Sequence, residues 1–96
     1  MSGSDDQPPE DLVADLHGHL EATAELPVDT RASRWLGEAE AVARDAVGRG
    51  VDRAVIAKRV EQVEMLLSNV EGTGDETADE HVARARELVE EIQARL

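Results

Sequence analysis

Apolar residues recur at every third or fourth position in four separate stretches of the chain, and nowhere do they alternate as a half-buried strand requires. That spacing predicts helices. The first stretch follows Pro8-Pro9, which suit only the opening of a helix, and lines up Leu12, Val13, Leu16 and Leu20. Gly18 weakens its middle, and Pro27 closes it after Leu26. The second opens at Asp29 or Thr30, either of which can cap a helix, and buries Ala32, Trp35, Leu36, Ala39, Val42, Ala43 and Ala46. Gly48-Arg49-Gly50 ends it.

The third stretch has Asp52 as its cap and Ile56, Val60, Val63, Leu67 and Val70 as its stripe. Val55, Met65 and Leu66 widen this arc beyond one face, which places the helix at the centre of a bundle or at a subunit contact. In the fourth, Thr77-Ala78-Asp79-Glu80 has the form of a capping box, followed by Val82, Ala85, Val89, Ile92 and Leu96. Short connections favour antiparallel neighbours. The expectation is an all-α fold, a small antiparallel bundle of three to four helices over about 8–26, 30–47, 52–71 and 77–95. Residues 10–96 make one domain, and residues 1–9 a flexible acidic tail.

The core must be built from small side chains, because the chain holds one Trp and no Phe or Tyr. The surface is acidic: 22 Asp and Glu against ten bases give a net charge of -12, and Lys58 is the one lysine beside nine arginines. Such charge repels itself in a compact fold and is relieved by counterions, which points to a salt-rich cytoplasm. Residues 1–29 hold eight acids and no base, residues 30–71 seven of each, and residues 72–96 seven acids and three bases. The start of the chain lacks the basic and apolar regions of a signal peptide, and no apolar run approaches the ~20 residues that span a bilayer. The reading is a cytoplasmic protein with no membrane contact.

With no cysteine, thiolate chemistry and disulfides are excluded. His17 and His19 stand two positions apart, which turns them to different sides of a helix, and two donors do not close a metal site. Gly72-Thr73-Gly74-Asp75 lacks the remaining residues of a phosphate loop, and Ser33 and Ser68 have no base placed beside them. No enzyme, metal or cofactor is expected.

Residues 46–60 carry a sharper pattern. Ala46, then Gly50, Val51 and Asp52, then Ile56 and Val60, resembles the turn and recognition helix of helix-turn-helix proteins. That resemblance implies nucleic-acid contact through Arg49, Arg53, Lys58 and Arg59, the chain's basic cluster. The same residues also describe a helix hairpin with a capped second helix.

Taken whole, the composition and the C-terminal hairpin from Val60 to Leu96 resemble small acidic helical proteins of haloarchaea to which no activity is assigned. The functional expectation is a non-enzymatic, salt-adapted interaction or scaffold protein. It would pair as a homodimer through Trp35, Val55, Met65 and Leu66, with an unknown protein partner also open. The alternative is a helix-turn-helix regulator.

Overall fold

The computed structural model describes residues 7–48 and 50–96. Among them are four helices and no strand: α1 Pro9–Thr23, α2 Thr30–Ala46, α3 Arg53–Leu67 and α4 Glu76–Arg95. The periodic stripes become the core. Leu12, Leu16 and Leu20 of α1 meet Leu36, Ala39 and Ala43 of α2, Val60, Val63 and Leu67 of α3, and Leu88, Val89 and Ile92 of α4 in one cluster. A Leu, Ile or Val buried this fully contributes about 1.5–3 kcal/mol each. With only Ala along much of α2's inner face, helices can approach closely without aromatic side chains to fill a wider gap.

Successive helices run antiparallel, and α1 closes against α4, so that each helix has two principal neighbours. The wide apolar arc of α3 does not put that helix at the centre. It lies between α2 and α4, and α1, packed on α4 and α2, leaves the outer side of α3 uncovered.

The helix ends are set by local chemistry. Asp29 caps α2 by accepting from the Ala32 N–H at 2.8 Å, and Asp52 caps α3 by accepting from Ala54 at 3.1 Å. For α4 the capping box is corrected: Asp75, not Thr77, accepts from the Ala78 N–H at 2.9 Å, and the helix begins at Glu76. Because Asp75 caps the helix two residues upstream, Thr77 already lies within its first turn. Two helices also stop earlier than the apolar spacing suggests. In α1 the Thr23 hydroxyl donates to the Leu20 carbonyl, and the chain leaves the helix before Pro27. In α3 the Ser68 hydroxyl and the Asn69 amide both donate to the Met65 carbonyl, ending the ladder at Leu67.

The acidic-tail expectation for residues 1–9 lies outside the described residues as far as Asp6. Residues 7–9 already belong to the fold: the Pro8 carbonyl accepts from the Asp11 and Leu12 N–H groups at the start of α1, Pro9 is the first residue of the helix, and Gln7 donates to Asp15 at 3.2 Å.

Candidate functional site

Two features of α2 and α3 combine on one side of the bundle. The first is orientation. Glu40 of α2 meets His17 of α1 at 2.7 Å, so the flank of α2 carrying Glu40 and Arg44 faces α1. Trp35 and Val42, seven residues apart and therefore on one side, occupy the opposite flank toward α3. Both are half-buried against the core. On α3, Arg53 and Glu64 reach α4 through the Arg95 carbonyl and Gln93. Val55 and Leu66, eleven residues or about three turns apart, share the flank turned away from α4, toward α2.

The antiparallel pairing sets their level. The start of α2 lines a cleft with Asn69 to Gly72, so Trp35 and Leu66 sit toward that end and Val42 and Val55 toward the other. Leu66 is half-buried against the core, Val55 is 41% exposed, and Met65, pointing outward beside Leu66, is 64% exposed. The four residues singled out from the sequence thus lie on the α2–α3 side. Val42 belongs with them; its place in the apolar stripe of α2 made it look like core.

The second feature is charge. Helix α1 carries four acids and no base, and α4 six acids against three bases. Helix α2 carries three of each, and α3 three bases against two acids. Because α1 packs on α4, the excess negative charge gathers on one half of the molecule and leaves the α2–α3 half near neutral.

The basic cluster is dispersed by the helix that holds it. Successive residues turn by about 100°, so Arg53, Lys58 and Arg59 point in three different directions around α3. Arg53 donates to the Arg95 carbonyl at 2.6 Å, and Arg59 to Gln62 at 3.2 Å. Lys58 is exposed beside Glu61 and Gln93. Arg49 lies outside the described residues.

The histidines separate as their spacing requires. His17 and Arg44 both bind Glu40, the guanidinium in bidentate fashion at 2.6 and 3.0 Å. Arg44 holds the Glu40 carboxyl below the usual carboxylate range, burial opposes this, and His17 adds to the lowering. On the other side of α1, His19 Nδ1 stands 2.9 Å from His81 Nδ1 of α4. Spacing along the chain gave no sign of this contact, which links residues 62 positions apart. Among the described residues, no three or more His, Asp or Glu side chains group as metal ligands. Nor is any helix there long and apolar enough to cross a membrane.

A family model described as a domain of unknown function (DUF8152) matches residues 12–96, from the first buried leucine of α1 through the last turn of α4. No curated protein and no solved structure matches the chain.

Proposed function

The chain belongs to this family of unknown function, and we propose for it a non-enzymatic role: a salt-adapted helical interaction protein that pairs with a second copy of itself through the α2–α3 face. The observation that carries the reading is the coincidence of apolar exposure and neutral charge. Isolated exposed apolar side chains are ordinary on any surface. Here Val55 and Met65 stand exposed, with Trp35, Val42 and Leu66 half-buried beside them, on the one half of a -12 molecule that does not repel its own copy.

A two-fold contact joins the same patch on both subunits, so the patch must tolerate itself electrostatically. The α1–α4 half, with its excess of acids, does not; the α2–α3 half does. Trp35 supplies the kind of large, flat side chain that anchors interfaces. The salt adaptation rests on the net charge, the single lysine and the core of Ala, Val and Leu. The non-enzymatic reading is supported by the occupied polar groups: Glu40 is bound by His17 and Arg44, and the Ser68 and Thr23 hydroxyls are turned back onto helix carbonyls.

Sedimentation equilibrium in 2 M potassium chloride tests the proposal. The expected result is a dimer mass at micromolar concentration, falling to the monomer in Val55→Glu and Met65→Glu with helicity unchanged. Both side chains are exposed in the single chain, so their replacement leaves the core intact. A monomer mass at high micromolar concentration would overturn it. Trp35 provides a second readout, since dissociation exposes its indole and shifts its emission to the red.

A further inference from the structure

The contact between His19 and His81 is built for a proton. Their Nδ1 atoms are 2.9 Å apart, and the ring centroids are 5.1 Å apart. The centroid separation is close to the nitrogen distance plus the two ring radii, so the two nitrogens point nearly head-on along one line. An N–H···N hydrogen bond requires that alignment. A metal ion bound by both nitrogens would require each lone pair to turn off the line toward a shared point. One ring is therefore the donor and the other the acceptor.

We propose that this pair is an acid-sensitive link between α1 and α4, which holds while the two rings carry at most one added proton and fails when both are charged. The first proton enters at Nε2 of the donor ring, the nitrogen outside the contact, and leaves the bond in place, now assisted by charge. The second must enter at the acceptor Nδ1. It turns both rings into donors and sets two positive charges against each other.

The surroundings favour the neutral state of His19. Burial lowers its proton affinity most, followed by His81 and by Arg84, while Asp15 opposes them. Asp15 lies on α1 and Arg84 on α4, where Glu87 and Glu91 hold the guanidinium. From α2, Glu40 and Arg44 face His17 on the other flank of α1. From α3, Arg53 and Glu64 meet α4 near Arg95 and Gln93, toward the other end of that helix.

The sign follows. His19 in the fold releases its proton below the ordinary value of 6.5, so just below that value the unfolded chain holds a proton that the fold does not. The link contributes fully above pH 6.5 and is lost as pH falls through the folded value. What it holds is the docking of α1, whose Leu12, Leu16 and Leu20 are each no more than 1% exposed.

The test follows thermal unfolding of the full chain at pH 8, 7, 6 and 5 in 2 M potassium chloride, above most carboxylate titration. The midpoint is expected to fall across the lower half of this range, and the fall to shrink in His81→Gln and in His19→Gln but not in His17→Gln. Side-chain NMR of the unmodified protein gives a readout that survives misfolding of a variant. There His19 is expected to titrate below the free imidazole, and in His81→Gln to move back toward it. A His19 titration at the free-imidazole position, or an acid loss identical in His81→Gln and the parent, would overturn the proposal.

Discussion

The Asp29 N–H donates to the Thr73 carbonyl at 2.7 Å, tying the loop between α1 and α2 to the loop between α3 and α4 at one end of the bundle. Thr73 is fully buried and spends each of its polar groups on this corner. Its N–H donates to Asp79 at 2.9 Å, its hydroxyl lies 2.8 Å from both Asp79 Oδ1 and the Asp75 carbonyl, and the hydroxyl oxygen accepts from the Asp75 N–H at 3.1 Å. Gly74 makes the turn with a φ of +83°, a conformation that a side chain would strain.

Thr73→Val keeps the volume of the buried side chain and removes its hydroxyl, leaving the Asp75 amide without its acceptor. The expected loss is about 1–3 kcal/mol. In urea unfolding this lowers the midpoint with little change in slope, and Thr73→Ser, which keeps the hydroxyl, should lose less. The Thr73 hydroxyl, then its N–H, holds the Asp79 carboxyl below its ordinary value of 3.8. The stability from that bond is present above pH 3.8 and lost as pH falls through the folded value, so Thr73→Val should flatten the acid limb of the stability curve.

Gly18 and Gly37 sit within α1 and α2, and a Cβ built at either position has no neighbour within 4 Å. Neither has a positive φ. Each therefore carries the helix cost of glycine without a packing reason for it. Gly18→Ala and Gly37→Ala are expected to stabilise by about 0.5–1 kcal/mol each. The two should add nearly independently in thermal melts of the double variant.

The gathering of acids on α1 and α4 implies a salt-dependent fold. Between dilute buffer and 2 M potassium chloride the thermal midpoint should rise, and each ~1 kcal/mol recovered from screening is worth about 4–8 °C in a chain of this size. Chlorides compared at matched ionic strength separate screening from salting out. A flat or falling midpoint would remove the salt adaptation from the proposed function.

The arrangement of Arg53, Lys58 and Arg59 bears on the nucleic-acid alternative. Pointing in three directions, they cannot together follow one groove, while the acids of α1 and α4 repel phosphate. Mobility shifts with genomic duplex fragments are expected to show no binding even at the lowest salt that keeps the protein folded. A shift that weakens steeply with salt and disappears in Arg53→Ala, Lys58→Ala would establish the alternative instead.

How much of this was legible in advance differs between residues. Leu12, Leu16 and Leu20, or Val82, Ala85, Val89 and Ile92, announce a helix and its inner face by spacing alone, because a helix repeats every 3.6 residues whatever it packs on. The Asp52 cap was equally readable, since a cap bonds to amides two or three residues away, while Asp29 was one of two candidates with Thr30 until the structure chose it. Thr77 was misread as a cap because α4 starts two residues earlier, on Asp75, which leaves Thr77 already inside the helix; that start follows from the turn around Thr73, which rests on Asp29 some forty residues earlier.

Local periodicity marked the four helices and most of each inner face, and composition the acids that each carries. Only the tertiary structure decided that α1 closes on α4, and from that closure follow the His19–His81 contact, the gathering of acids on one half, and the neutral α2–α3 face. The physical reason is range. Helix formation is governed by bonds and packing within four residues, whereas the choice of helix neighbours is made by apolar side chains that look alike at every position. It is decided by which arrangement buries them all at once.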